Sequence, residues 1–359
     1  MQRHKVLVVD DSAFMRKLLQ DIIESDPAFE VTATARNGRE ALEKLRSIEV
    51  DAITLDVEMP EMNGLEALDN IMKTRPLPVL MVSSLTGEGT RETILALEKG
   101  AVDVVLKPSG SISLDLHKVK DELLSKLKAA VLAKPKIAAI KSKELEEKSS
   151  DDATQRTIFK KASNQSIHQI VAIGTSTGGP RALQQVLTSL PEDFPAPIVV
   201  VQHMPPGFTQ SLAKRLDMFS AIQVMEGEDG TPLKPGVAYI APGGWHMQVV
   251  RSEDGYQLKL DQEEPISGHR PSVDRLFMSL LPLKELKRHI VLMTGMGSDG
   301  AHSMKKLRDD GAVTTIAEAE ETCIVYGMPR IAVQLGAAEH VLPLYRISSQ
   351  LTDAVRHHQ

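Results

Sequence analysis

Short apolar runs alternate with amphipathic segments from Lys5 to about Leu132. The runs Lys5–Val9, Glu30–Ala35, Ala52–Leu55, Val79–Val82 and Asp103–Leu106 have strand length, whereas Phe14, Leu18 and Ile22, or Ile94, Leu97 and Ala101, recur at helical spacing. Such alternation predicts an α/β fold, a five-stranded doubly wound parallel sheet with helices on both faces. Any ligand then belongs outside the carboxyl ends of the strands. Residues 126 to 166 lose the pattern and are rich in Lys, Ala and Ser with mixed charges; the first part extends the last helix, Pro135 interrupts it, and the rest is a tether. From His168 the alternation resumes. Ile170–Ile173, Pro197–Val201 and the run HIVLM from His289 are strand candidates. Residues 231 to 260, carrying Trp245 and His246, predict a β-hairpin excursion. The expected domains are 1–125, a linker 126–166, and 167–359.

Length and composition narrow the classes. A chain of 359 residues with 42% hydrophobic content fits two cores. Its net charge of −6 and 3% aromatic content argue against nucleic acid as a partner, which needs clustered cations or stacking platforms. A single cysteine, Cys323, excludes an internal disulfide and fits a reducing compartment. The start MQRHKVLVVDD turns acidic after a short apolar run, unlike a signal peptide. No stretch approaches the ~20 apolar residues of a membrane-spanning helix. The expectation is a cytoplasmic protein without membrane insertion.

Polar residues gather at the predicted strand ends. Asp10 and Asp11 follow the first strand, Asp56 the third, Ser83 and Ser84 the fourth, and Lys107 the fifth. Converging carboxylates suit a hard divalent cation, and a hydroxyl with a lysine opposite suits a phosphoryl group; Asp10 or Asp11 alone would also serve as a helix cap. In the second half, Gly174–Gly178 fits the pattern G-x-S-x-G, with Ser176 between a strand and a helix opened by Gly178, Gly179 and Pro180. That turn suits a nucleophile, and equally a tight turn or a phosphate cradle. His203 and Asp299 also follow predicted strands, so both can reach the same sheet edge as Ser176. A serine nucleophile needs an imidazole to take its proton and a carboxylate to orient the imidazole. His246 and His302 compete with His203 for that role. No Cys/His set has the spacing of a metal site, so no cofactor is expected beside Ser176.

The segments VLVVDDS, LDVEMPEMNGLEAL, PVLMVSSLT and GAVDVVLKP resemble the receiver domains of bacterial response regulators, which have a flavodoxin-like fold. The resemblance implies that Asp56 accepts a phosphoryl group from a chemotaxis histidine kinase. It assigns Mg²⁺ to Asp10, Asp11, Asp56 and the Glu58 carbonyl, and phosphoryl contacts to Ser83 and Lys107. Val104 stands where many receivers place an aromatic switch residue, so that relay is not expected here. The segments IGTSTGGP, VQHMPPGFT, YIAPGGWHM, HRPSVDRLF, LMTGMGSDGA and CIVYGMPR look like the catalytic domain of chemotaxis protein-glutamate methylesterases. They imply a Rossmann-like α/β hydrolase domain with the triad Ser176, His203 and Asp299, and an oxyanion held by the backbone N–H groups of Thr177 and Met296. They also imply demethylation of glutamate esters on methyl-accepting chemoreceptors, deamidation of receptor glutamines, and activation by phosphorylation. Arg270, Trp245 and Met204 would contact the receptor or pack at the rim. A receptor-docking protein without catalysis is the alternative; a DNA-binding output would need a helix-turn-helix, and none is legible.

Overall fold

Val6, Leu7, Val8 and Val9 are all without solvent exposure, as a strand covered on both faces requires. They form β1 (His4–Val9), followed by α1 (Ala13–Glu24), β2 (Phe29–Ala35), α2 (Gly38–Leu45), β3 (Ala52–Asp56), α3 (Gly64–Thr74), β4 (Val79–Ser83), α4 (Gly87–Glu98) and β5 (Asp103–Leu106), and by α5 at residues 119–133. The sheet is parallel with order β2-β1-β3-β4-β5, a doubly wound arrangement. Leu123 and Leu127 of α5 join Val6, Val8, Leu19, Ile23 and Phe29 in one core. Residues 126–133 therefore continue this helix. The computed structural model describes residues 3–84, 86–107, 119–133 and 167–357, and the tether predicted beyond the helix, with Pro135, lies outside them.

The chain divides into two compact units, Met1–Lys148 and Ser149–Gln359. In the second, β6 (Gln169–Thr175), α6 (Gly179–Leu187), β7 (Ile198–Gln202), α7 (Phe208–Phe219), β8 (Gln223–Glu226) and β9 (Val237–Ile240) precede a hairpin, β10 (His246–Ser252) with β11 (Gly255–Asp261). Then come α8 (Val273–Ser279), β12 (Lys287–Leu292), α9 (Ala301–Asp309), β13 (Thr314–Glu318), α10 (Met328–Gln334), β14 (His340–Leu342) and α11 (Leu344–His357). Seven strands form a parallel sheet of order β14-β13-β12-β6-β7-β9-β8. The predicted excursion is thus shorter at its start: Val237–Ile240 belongs to the main sheet, where β9 pairs with both β7 and β8. All four residues of β9 are buried, as in a strand covered on both faces, and only its pairing separates it from the hairpin that follows. Ile170, Val199, Tyr239, Phe277 and Met304 lie in the core beside this sheet.

Chain order runs away from β6 in both directions, through β7 on one side and β12 on the other. The crevice at the carboxyl ends of β6 and β12 is therefore a topological switch point. Among the described residues, no helix is long and apolar enough to cross a membrane.

Candidate active site and phosphoacceptor site

Thr175 pairs with Gln202 where β6 and β7 end, so the next residues, Ser176 and His203, leave the sheet side by side. The His203 N–H donates to the Thr175 carbonyl (3.2 Å), and the buried Gln202 amide donates to the carbonyls of both Ser176 and His203, each at 3.0 Å. On the other flank, the Thr294 carbonyl accepts the Ser176 N–H (3.0 Å) and the Thr175 hydroxyl (2.9 Å). Thr294 Oγ1 donates to the Thr177 carbonyl (2.9 Å). Three strand ends are thereby tied into one rim.

Asp299 reaches that rim from the loop between β12 and α9. Its Oδ2 lies 2.8 Å from His203 Nε2 and accepts the Val273 N–H (2.7 Å); its Oδ1 accepts the Ser272 hydroxyl (3.0 Å) and the Asp274 N–H (2.9 Å). The backbone donors come from the start of α8, whose first N–H groups lack helical partners. Burial pushes the Asp299 carboxyl up, but the hydrogen bond and charge of His203, with the Asp274 and Val273 N–H groups, outweigh it and hold it at about 2. An ionised Asp299 fixes the proton of His203 on Nε2 and leaves the Nδ1 lone pair as the basic site. Nδ1 is buried with no hydrogen-bond partner among the described residues, so it is not bonded to the Ser176 hydroxyl in this resting geometry. Such contacts commonly tighten when substrate enters.

The oxyanion candidates flank the same hydroxyl. Thr177 follows Ser176 and is buried, while Met296 follows Gly295 and is 39% exposed. A Cβ on Gly295 would stand 2.8 Å from Ser176 Cβ, so this backbone passes directly against the serine. The competing histidines sit elsewhere in the hydrogen-bond pattern. His246 is fully buried with Nε2 on the Glu264 carbonyl (3.2 Å), and His302 is exposed on α9. Among the rim candidates, Met204 is buried and Trp245 is 40% exposed. Arg270 donates to the carbonyls of Gln262 and Glu263.

Gln202, Ser272 and Thr294 were not singled out from the sequence. Ser272 was the most findable, since it caps α8 by accepting the Arg275 N–H. Gln202 sits at a strand end next to a histidine, a position equally suited to solvent.

In the first unit, Asp10, Asp11 and Asp56 bring carboxylate oxygens within 4.8 Å of one another. The N-cap of α1 is Ser12, which accepts the Met15 N–H, so neither Asp10 nor Asp11 caps that helix. Lys107 Nζ lies 2.7 Å from Asp56 Oδ2 and 3.1 Å from Asp10 Oδ2. Burial pushes Asp56 up to about 6, against the hydrogen bond from Lys107. The buried Asp10 Oδ2 has no hydrogen bond of good geometry among the described residues. Hard oxygen donors so placed fit a divalent cation. The Ser83 hydroxyl bonds to Thr93 Oγ1 (2.9 Å) and to the Ser84 carbonyl (3.2 Å), neither of which belongs to the Asp56–Lys107 pair. The Glu58 N–H lies 3.4 Å from Asp56 Oδ1.

Comparison with known proteins matches both units. A family profile described as CheB methylesterase matches residues 171–351, and one described as response regulator receiver domain matches residues 6–117. A protein of Geobacillus kaustophilus named protein-glutamate methylesterase/protein-glutamine glutaminase is 52% identical over 356 residues, 99% of each chain. One of the same name from Bacillus subtilis is 47% identical over 98% of each chain. The crystal structure of the Thermotoga maritima CheB methylesterase catalytic domain superposes with a TM-score of 0.50 at 46% identity, covering 52% of this chain and 97% of that one.

Proposed function

The chain belongs to the CheB methylesterase family, with a response-regulator receiver domain in the same polypeptide, and from that premise we propose how it works as a protein-glutamate methylesterase and protein-glutamine glutaminase. Its substrates are methyl-accepting chemoreceptors, and the setting is chemotaxis in the cytoplasm. Ser176 Oγ attacks the side-chain carbonyl of a glutamate methyl ester and passes its proton to His203 Nδ1. The tetrahedral oxyanion rests on the N–H groups of Thr177 and Met296, where removal of one donor costs about 3–4 kcal/mol in the barrier. The imidazolium, stabilised by ionised Asp299, gives its proton to the departing methoxide, so methanol leaves and an acyl-serine remains. Water, deprotonated by His203, then releases the glutamate carboxylate and restores Ser176. Amide hydrolysis follows the same course with ammonia as the leaving group.

One observation carries this assignment: the His203 Nε2–Asp299 pair at 2.8 Å stands on the rim where Gln202 ties the backbone of Ser176 to that of His203. Relatives named for the enzymatic activity favour catalysis over a docking-only role. The receiver takes its phosphoryl group from a histidine kinase on Asp56, and Lys107 stabilises the added charge. Asp10, Asp11, Asp56 and the Glu58 carbonyl would hold Mg²⁺, which supplies charge neutralisation for phosphoryl transfer when bound. The test is methanol release from methylated receptor membranes: the intact chain should release it and Ser176→Ala should not. Release at the same rate by Ser176→Ala would exclude Ser176 as the nucleophile.

A further inference from the structure

The stretch HRPSVDR, residues 269–275, is contiguous and touches both partners of Ser176. Past Pro271 it supplies the Ser272, Val273 and Asp274 donors that clamp Asp299. Before Pro271 it presents His269, whose ring lies flat on that of His203, with centroids 3.8 Å apart and planes 7° from parallel. The loop holding His269 is built for that placement. Ile266 and His269 exchange both backbone hydrogen bonds, at 3.1 and 2.9 Å, around Ser267 and Gly268 with φ of 52° and 82°. Two successive positive φ values make a tight hairpin turn of the primed kind, which a glycine at the second position favours. The Arg270 carbonyl then accepts the Gly244 N–H (3.1 Å), and its guanidinium holds the carbonyls of Gln262 and Glu263.

A single hydrogen bond from Nε2 to Asp299 leaves an imidazole free to swing about that bond, and with it the direction of the Nδ1 lone pair. A ring stacked on its face removes that freedom and keeps water off the same face. We propose that His269 is a positioning residue of the hydrolytic centre: its stacked ring fixes the plane of His203 so that Nδ1 stays aligned for the Ser176 proton. The inference rests on His203 being the base. It makes HRPSVDR one device that orients the imidazole with its first residue and the carboxylate with its fourth to sixth.

The experiment uses the full-length chain and methylated receptor membranes, with His269→Ala, His269→Asn and His269→Phe compared by kcat, KM and thermal unfolding. Alanine and asparagine, which lack a ring face, should lower kcat on the order of 10- to 100-fold with KM changed by less than about two-fold. Phenylalanine should recover most of the loss, and all three should unfold at the wild-type temperature. A structural role alone would not yield recovery by phenylalanine together with an unmoved KM. Without substrate, the ring-proton NMR shifts of His203 should move in the alanine variant, as a stacked neighbour is removed, and return toward wild type in the phenylalanine variant. Wild-type kcat in His269→Ala, a loss confined to KM, or a phenylalanine variant as slow as alanine would each overturn the proposal. Methanol release that survives His203→Ala would instead remove the base assignment, and this inference with it.

Discussion

Asp299 is held by more than its histidine: His203, Ser272, Val273 and Asp274 all bond to its two oxygens. Asp299→Asn places an NH₂ group against some of these donors and unsettles the tautomer of His203. The expected outcome is a fall in kcat of about 10⁴-fold with substrate binding retained, measured by methanol release and receptor co-sedimentation. Glu318 is the other telling residue. It is fully buried at the end of β13, accepts the Thr294 N–H (2.8 Å), and is pushed up to about 7 by burial, which that bond and the charge of Arg181 oppose. Because the folded value lies above the ordinary carboxylate range, the folded state binds more protons, and stability falls as pH rises from about 4 to about 7. Glu318→Gln keeps an acceptor for Thr294 and removes that slope. It should gain up to about 3 kcal/mol over wild type between pH 5 and pH 8, read by denaturant unfolding at the two values. Neither contact was legible in sequence, since a glutamate at a strand end is more often solvated.

At the scale of elements, three strand ends converge, and the loop after β12 is governed by backbone clearance. Gly295 lies in the loop after β12, where a Cβ would meet Met328 Sδ at 2.3 Å and Ser176 Cβ at 2.8 Å. Gly295→Ala should push this loop from the serine, lower kcat more than KM, and destabilise the fold by about 1–3 kcal/mol; enzyme assays and thermal melts check both. The long strands were legible because apolar periodicity extends through them: Lys5–Val9 and Ala52–Leu55 are found within one residue of β1 and β3. β8, β13 and β14 were not, and β9 fell inside the predicted hairpin; since β5 has only four residues and was legible, pairing rather than length sets these four apart. The α8 start, which supplies the clamp on Asp299, is cued only by Ser272 followed by Val273, Asp274 and an apolar run.

For the whole molecule, the chain joins a receiver domain to an esterase domain, so phosphorylation at Asp56 is expected to raise hydrolysis. A small-molecule phosphodonor with Mg²⁺ should raise methanol release on the order of ten-fold. Asp56→Asn should abolish that response while leaving basal activity, and chelation of Mg²⁺ should return the wild type to its basal rate. Equal rates with and without the donor would exclude control through Asp56.

The order of apolar runs, the two α/β units and the positions of Ser176, His203 and Asp299 after strands were all determined by the sequence, because periodicity is a local property of a few neighbouring residues. Tertiary structure alone decided that β6 lies between β12 and β7, that Gln202 ties two carbonyls together, that Nε2 rather than Nδ1 faces the carboxylate, and that His269 covers the imidazole. Those choices depend on which distant strands pair and which rotamers a filled core permits, and such long-range packing leaves no local pattern to read.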